Sequence, residues 1–300
     1  MSLQFIIGSS GIGKTHYACE QIIRESMENP QHLYYIIVPE QFTMQTQKNV
    51  VEMHPGKGIL NIDVLSFQRL AYRIFEETGG AREVLLDDTG KSMVLQKLVQ
   101  QHRKNLPYLG SQMNKPGYLD EVKSLISEFM QYDIREEELQ DMLGKTGEDS
   151  LLHMKMQDVG VLYQAFLQYL EGHYMTGEGV MDALKKAIPF SDKLKKSVLL
   201  LDGFTGFTPV QMNVIRELLN VCDKVLVTVT MDAGENPLQM GKPHQLFYMS
   251  RKMIHTLSGL TSNLDDPILL KDERKGRFGN STSLDFLEKH LFRYKRSAYE

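Results

Sequence analysis

The strongest constraint on the fold is a glycine-spaced segment near the start of the chain. It reads Gly8-Ser9-Ser10-Gly11-Ile12-Gly13-Lys14-Thr15 and fits the pattern GxxxxGK[ST] at every fixed position. An apolar run at residues 3–7 precedes it, and a helix-forming stretch begins at Thr15. A glycine-rich turn between a strand and a helix lets backbone N–H groups and the helix N-terminus surround phosphates. The segment therefore predicts a P-loop that binds ATP or a related nucleotide.

The positions within this loop have separate predicted tasks. We expect Lys14 to reach the β- and γ-phosphates and the Thr15 hydroxyl to hold Mg²⁺. The glycines leave the backbone room to approach the ligand. The predicted nucleotide-binding residues are Gly8, Ser9, Ser10, Gly11, Ile12, Gly13, Lys14 and Thr15.

An acidic position elsewhere in the chain completes the predicted magnesium site. The apolar residues 198–201 are followed directly by Asp202. P-loop enzymes hold the metal with an acidic residue of this kind, so we expect Asp202 to bind Mg²⁺ with Thr15. In many helicase-like ATPases the next residue is a glutamate that activates water, but here it is Gly203. Glycine cannot position or deprotonate water, so the sequence predicts nucleotide binding with little or no hydrolysis and no catalytic residue.

Short apolar runs alternate with helical segments through much of the chain. The runs are residues 3–7, 33–38, 59–65, 198–201 and 224–230, and the helical segments are residues 15–26, 41–51, 67–77 and 209–220. Alternation of apolar strands with helices is typical of a parallel sheet covered on both faces. The fold class predicted here is therefore α/β.

The long interval between the third and fourth runs contains only helical signals. Predicted helices there are residues 89–102, 118–132, 135–143, 150–174 and 180–187, and another two are expected at 244–257 and 281–293. Apolar residues such as Val122, Ile126 and Phe129 recur at three- and four-residue spacing, as in a helical bundle. We therefore predict a P-loop domain formed by residues 1–84 and 190–300, with a helical subdomain inserted at residues 85–189.

Polar and aromatic residues follow the second and third predicted strands. The first group includes Gln41 and Thr43, and the second includes Phe67, Arg69 and Tyr72. Parallel sheets bind ligands where their strands end. Amides, hydroxyls and guanidinium groups can bond bases or phosphates, and aromatic rings can stack on unpaired bases. These residues are candidate contacts to single-stranded DNA.

The order of these motifs resembles the motor core of superfamily one helicases, with its RecA-like domain and helical insertion. Residues 65–70 resemble their Thr-Phe-His-Ser-Leu motif, and residues 202–211 resemble their Asp-Glu-Phe-Gln-Asp segment without its Glu, Gln and second Asp. That particular loss is similar to the N-terminal region of the AddB family, which includes RexB. Further matching segments are Val38-Pro39-Glu40-Gln41, Ser66-Phe67-Gln68-Arg69-Leu70-Ala71, Thr78-Gly79-Gly80 and Asp202-Gly203-Phe204 with Phe207-Thr208-Pro209.

This resemblance implies a role in double-strand break repair and recombination. AddAB is an ATP-dependent helicase–nuclease that unwinds and degrades DNA ends until it meets a Chi signal. AddA is the motor and the expected heterodimer partner, whereas the front of AddB helps to hold the emerging strand and recognise Chi without unwinding. The resemblance implies that Gln41, Thr43, Phe67, Arg69, Tyr72 and Phe207 line the strand channel.

The nuclease and its iron–sulfur cluster are implied only for the remote C-terminal part of the family. The present chain has two cysteines, too few for the four cluster ligands, and lacks the nuclease motif. ATP and Mg²⁺ are therefore the cofactors expected for this chain. The hydrolase activity of the whole deoxyribonuclease is not expected from these residues alone.

Net charge and hydropathy bear on the partners and the location of the protein. A net charge of −4 neither predicts nor excludes a local DNA-binding groove. No apolar run approaches the roughly 20 residues that cross a bilayer, and no signal peptide precedes the loop, so we expect a cytoplasmic protein without a membrane partner.

Two alternative functions remain open. The first alternative is a small-molecule P-loop kinase, although its arginine-rich lid is not evident. The second is a nucleotide-binding docking scaffold that never contacts DNA.

Overall fold

The structure is a computed structural model that describes residues 2–80, 83–112, 115, 117–232, 234–271, 277–293 and 298–299. Two compact units divide these residues. The first contains the chain through Thr78, Ala187–Phe207 and the chain from Met212 onward. The second contains Gly79–Lys186 and Thr208–Gln211.

The described part of the chain forms strands and helices in alternation. The strands are β1 Ser2–Gly8, β2 Leu33–Ile37, β3 Ile62–Leu65, β4 Val84–Leu85, β5 Tyr174–Met175, β6 Ser197–Leu201, β7 Lys224–Thr230 and β8 Ile268–Leu269. The α-helices are α1 Lys14–Glu28, α2 Thr43–Met53, α3 Phe67–Thr78, α4 Asp88–His102, α5 Leu109–Gln112, α6 Tyr118–Gln131, α7 Glu136–Gly144, α8 Leu151–Leu170, α9 Gly177–Ala187, α10 Pro209–Val221, α11 Tyr248–Ser258 and α12 Thr282–His290.

Six strands of the first unit form a sheet in the order β3-β2-β6-β7-β1-β8. All five pairings in it are parallel, and β1 with β7 is the longest, from Ser2 opposite Lys224 to Gly8 opposite Thr230. The predicted α/β class with a parallel sheet is confirmed. Parallel strands bring their carboxyl ends to one edge, so the segments after β1, β6, β2 and β3 all leave the sheet on the same side.

The sheet forms because its strands are apolar on both faces. Ile6 of β1 and Ile36 of β2 are fully buried in one core with Ile22 of α1, and Ile7 and Ile37, on the opposite face of the same strands, are also fully buried. Continuous burial of this kind is typical of parallel strands covered by helices. It fixes the positions at which the chain turns from each strand into the next helix.

Several predicted boundaries differ from the structure. Strand β3 begins at Ile62 rather than residue 59, and a 3₁₀ turn at Glu40–Phe42 precedes α2. The expectation of only helices between residues 85 and 189 was wrong, because β4 and β5 pair in parallel there. The predicted helix 150–174 accordingly ends at Leu170. Two-residue strands are too short to show the alternation by which strands are recognised.

The second unit has its own helical core. Apolar side chains of α4, α6 and α8 pack together, including Leu95, Ile126 and Phe166. A buried ion pair joins Lys91 Nζ to the Glu178 carboxylate at 3.0 Å. Among the described residues, no helix combines the length and apolarity needed to cross a bilayer.

Candidate nucleotide site and strand-end surface

The loop between β1 and α1 has the backbone geometry that its glycines predict. Gly11 has φ 75° and Gly13 has φ 100°, both in the left-handed region that side chains disfavour. A Cβ on Gly11 would lie 2.7 Å from the Phe278 ring. The chain at this position also anchors a distant segment, because the Arg277 backbone N–H donates to the Gly11 carbonyl at 2.8 Å. The loop therefore requires glycine for its conformation and for close contact.

The side chain of Lys14, the first residue of α1, folds back toward the loop. Its ammonium donates a hydrogen bond to the Ser9 carbonyl oxygen at 2.8 Å. Burial lowers the pKa of Lys14 below its ordinary value of 10.5, while the carboxylates of Asp202 and Glu288 act in the opposite direction. A partly desolvated cation that faces a glycine turn is suited to bind an anionic phosphate.

The structure brings Thr15 and Asp202 together although 187 positions separate them in the chain. The Thr15 hydroxyl lies 3.0 and 2.9 Å from the two Asp202 carboxylate oxygens. Asp202 is nearly buried and also accepts a hydrogen bond from the Thr228 hydroxyl at 2.6 Å. Strand β7 carries Thr228 between β1 and β6, so three adjacent strands build this corner.

The Thr15–Asp202 corner has the oxygen donors that Mg²⁺ prefers. Among the described residues, no three His, Cys, Asp or Glu side chains gather into a metal site. Mg²⁺ typically uses one or two carboxylates, with waters and substrate phosphates completing its shell. The donor set therefore fits a magnesium ion that arrives with nucleotide phosphates.

Gly203 follows the buried carboxylate with φ 79°. A Cβ there would lie 3.6 Å from Pro39 Cδ, an ordinary contact, so space does not exclude a side chain. The backbone disfavours one, because a left-handed conformation costs a residue with a side chain about 1–2 kcal/mol.

We expect Gly203→Glu to lower the free energy of unfolding by about 1–2 kcal/mol without restoring ATP turnover. Urea unfolding and phosphate release measure the two effects. Gly206→Glu is the matched control, because Gly206 lies in the same segment, is not among the positive-φ glycines and has no atom within 4 Å of an added Cβ. Turnover appearing in Gly203→Glu alone would contradict the backbone argument.

The lowered pKa of Lys14 has a consequence for binding at alkaline pH. Phosphate binding needs the protonated ammonium, and this group loses its proton below the ordinary pKa of 10.5. ATP affinity should therefore fall as pH rises through that lowered pKa, earlier than for an exposed lysine. Isothermal titration between neutral pH and pH 10.5 measures the fall. Lys14→Arg keeps its charge throughout this range, so its residual affinity should stay constant.

Candidate DNA-contacting residues lie after β2, β3 and β6, which are neighbours in the sheet. Gln41 is exposed in the turn after β2. Arg69, exposed on the first turn of α3, pairs with Glu40 at 3.1 Å, so the ends of β2 and β3 meet. Tyr72 is about one-third exposed and packs edge-on against Phe75.

The side chains of two other candidate DNA-contacting residues point into the interior of the protein. Thr43 is buried, and its hydroxyl donates to the Glu40 carbonyl at 2.9 Å, which fixes the start of α2. Phe67 is 5% exposed, with its ring 5.6 Å from the Phe204 ring and 6.3 Å from the Phe207 ring. The proposed stacking of Phe67 on a base does not fit this burial. Its observed role is to support Phe207, which is partly exposed.

Sequence reasoning missed two groups of residues near these sites. Phe42 lies half-exposed beside Gln41, and the 3₁₀ turn that presents it was not expected. Arg277 and Phe278 reach Gly11 from a polar stretch without a motif. No local pattern signals a contact between positions so far apart in the chain.

Comparison with known proteins agrees with the order of motifs. A family model described as "ADDB, N-terminal" matches residues 5–288. The chain is 44% identical over 306 residues to the ATP-dependent helicase/deoxyribonuclease B subunit of Lachnoclostridium phytofermentans, covering all of this chain and 27% of that protein. It is 32% identical to the corresponding B subunits of Desulforamulus reducens and Clostridium acetobutylicum, covering 99% and 100% of this chain and 26% of each of those proteins.

The chain thus spans about a quarter of the length of these curated relatives. The family match extends through both compact units, from β1 to α12. This coverage shows that the chain belongs to the AddB N-terminal family.

Proposed function

We propose that this chain is the nucleotide-binding N-terminal part of the B subunit of an ATP-dependent helicase/deoxyribonuclease, and that it binds ATP with Mg²⁺ without driving DNA unwinding. The observation that carries the proposal is the contact of the Thr15 hydroxyl with the Asp202 carboxylate beside a glycine loop. In this reading Gly8 to Lys14 surround the phosphates, while Thr15 and Asp202 hold the metal.

The topology supports a RecA-like P-loop domain. Strand β1 leads into the loop, β6 ends at Asp202, and β7 lies between them in the sheet. An acidic strand end placed one strand away from a phosphate loop brings a metal ligand to the terminal phosphates.

The missing carboxylate at Gly203 supports binding without turnover. P-loop hydrolysis needs a group that orients or deprotonates the attacking water, and the backbone at φ 79° provides none. ATP then acts as a bound ligand that stabilises or signals a conformation of this unit.

The edge formed by the ends of β2, β3 and β6 is the proposed contact surface for single-stranded DNA. Gln41 and Arg69 offer hydrogen bonds to bases or phosphates, and Tyr72 and Phe207 offer rings for stacking. Phe42 extends this surface with a further half-exposed ring. Thr43 and Phe67 support it from inside.

The DNA surface leads to a prediction for Arg69. Arg69→Ala should weaken single-stranded DNA binding about three- to tenfold. It should also lower the slope of the logarithm of affinity against the logarithm of salt concentration by about one, with ATP affinity unchanged. Stability should change by less than about 1 kcal/mol, because the Arg69–Glu40 pair is exposed.

Arg73→Ala is the matched control for this experiment. Arg73 lies one turn further along α3, is similarly exposed and pairs with Asp63 at 2.9 Å. Fluorescence anisotropy should show a loss for Arg69→Ala that exceeds the loss for Arg73→Ala. Equal losses would indicate unspecific attraction, and unchanged binding in both would favour a docking scaffold that does not touch DNA.

The wider role is proposed from the relatives. Their names describe one subunit of an ATP-dependent helicase and deoxyribonuclease. We propose that this chain works with an AddA-type motor protein at DNA ends, helps to recognise Chi, and so serves double-strand break repair and recombination. We propose that the nuclease, with the iron–sulfur cluster that the family resemblance implies, belongs to the part of such a subunit that this chain does not span.

One titration tests the central proposal. The chain is titrated with labelled ATP and Mg²⁺, with single-stranded DNA present or absent, while phosphate release is followed in the same tube. We expect saturable ATP binding, DNA binding and negligible release. Hydrolysis near ten per second, the median of enzymes, would overturn the proposal of a silent nucleotide site.

A further inference from the structure

Helix α12 lies beside the phosphate loop, and none of its nine residues, all of which the structure describes, is buried. Leu284 and Leu287 on this helix are about half exposed. A helix this short depends on burying an apolar face for most of its stability. The position of α12 therefore depends on contacts at its two ends and on its polar side chains.

The contacts at the ends of α12 connect it to the phosphate loop and to the end of β7. Before the helix, the Phe278 ring packs so closely on Gly11 that a Cβ there would lie 2.7 Å from it. The Phe278 carbonyl accepts a hydrogen bond from the Ser281 N–H at 2.9 Å, in the turn that leads into α12. After the helix, the Arg293 guanidinium pairs with Asp232 at 2.8 Å. A change in the loop therefore reaches the start of α12 through one turn of chain.

Glu288 is the acidic side chain of α12 that faces the loop. A cavity of about 320 Å³ lies between the helix and the loop, and Ser10 and Glu288 both line it. The Glu288 carboxylate also acts on the Lys14 ammonium. Burial lowers the pKa of Lys14, whereas the charges of Asp202 and Glu288 act to raise it. Glu288 is thus a counter-charge for Lys14 that the protein itself supplies.

Bound phosphates would need the same cation. A polyphosphate at the loop would bring several negative charges close to Lys14 and would therefore repel the Glu288 carboxylate. Because α12 buries no residue, moving it away from the loop breaks few apolar contacts. Repulsion between the phosphates and Glu288 can therefore be relieved by a movement of the helix.

We propose that Glu288 opposes nucleotide binding, and that phosphates at the loop displace α12, so that this helix responds to the presence of nucleotide. The inference rests on the proposed phosphate loop and adds a means of regulating it that lies outside the glycine motif. Leu284 and Leu287 line the cavity on the helix side. Displacement of α12 would expose them further and so convert nucleotide binding into a change of surface.

Affinity measurements test whether Glu288 opposes binding. Glu288→Gln keeps the shape of the side chain and removes its charge, so ATP and inorganic tripolyphosphate should both bind about two- to fivefold more tightly with Mg²⁺, as expected for a partly exposed charge pair. Isothermal titration at about 0.1 M and about 1 M salt should show that this gain shrinks at the higher concentration, because salt screens the charges. Thermal unfolding checks that the variant stays folded.

Asp285→Asn is the matched control. Asp285 lies on the same helix and pairs with Lys289 at 3.1 Å, but it does not line the cavity. This variant should bind both ligands like the unaltered chain. An equal gain in Asp285→Asn, or no gain in Glu288→Gln, would overturn the role of Glu288 while leaving the phosphate loop intact.

Hydrogen exchange tests the movement of the helix. By thermodynamic linkage, the factor by which α12 opposes the ligand is the factor by which the ligand opposes the position of α12. Either ligand should therefore speed exchange of the α12 backbone amides about two- to fivefold in the unaltered chain, and little in Glu288→Gln. Unchanged or slower exchange in the unaltered chain would overturn the displacement. Failure of the unaltered chain to bind either ligand would refute the nucleotide site, and this inference with it.

Discussion

Replacing Lys14 with alanine is expected to weaken ATP binding by about 10- to 100-fold. A hydrogen bond to a charged group contributes about 1.5–3 kcal/mol, and each 1.4 kcal/mol is a tenfold change in affinity. The full effect is expected because Lys14 is already partly desolvated against the loop, so little further dehydration opposes phosphate binding. Isothermal titration with ATP and Mg²⁺ measures the change.

The control for Lys14→Ala removes the same charge from α2. Lys48 is exposed and lies 3.8 Å from Glu52, and Lys48→Ala should change ATP affinity little. Thermal unfolding without ligand checks that both variants stay folded, because Lys14 bonds the Ser9 carbonyl and also interacts with the carboxylates of Asp202 and Glu288. Unchanged ATP affinity in Lys14→Ala would refute the phosphate loop.

Phe67→Ala is expected to lower the free energy of unfolding by about 3–5 kcal/mol, the usual range for a buried phenylalanine. Phe67 is almost fully buried, and its ring supports Phe204 and Phe207 at the end of β6. Truncation leaves a cavity beneath both rings, and side chains near a helix start can close it only partly. Urea unfolding measures the loss directly.

Phe42→Ala is the comparison for this stability effect. Phe42 is half-exposed, so its removal should change stability by about 0.5 kcal/mol or less. Any loss of DNA affinity in Phe67→Ala should then follow the fraction of unfolded protein, whereas Phe42→Ala should lose affinity while remaining folded. A stable Phe67→Ala variant with weak DNA binding would instead restore Phe67 as a direct stacking residue.

Much of the sheet could be predicted because parallel strands bury both faces. Residues 224–230 were predicted as a strand and form β7 with the same bounds, and the starts of α3 and α10 were also correct. Strand β8 was not predicted, because two residues carry no periodicity and its parallel pairing with β1 joins segments that are far apart in the chain.

The proximity of the glycine loop to Asp202 could be predicted from sequence because it depends on residue type and on where strands end, and the nucleotide site itself stays a prediction. Burial of Phe67 could not, since an aromatic residue after a strand can face either solvent or the core. The approach of Arg277 and Phe278 to Gly11 was equally inaccessible, because only tertiary structure brings them together. The placement of these residues at strand ends was thus predictable, and the orientation of their side chains was not.

The left-handed backbone at Gly203 also affects how readily this position can change in evolution. A glutamate codon can become a glycine codon by a single base change, and glycine adopts φ 79° without strain. The reverse change is less favourable, because a glutamate at this position would have to adopt a left-handed backbone conformation that costs about 1–2 kcal/mol. The change to glycine therefore meets no backbone penalty at this position, whereas the reverse change does.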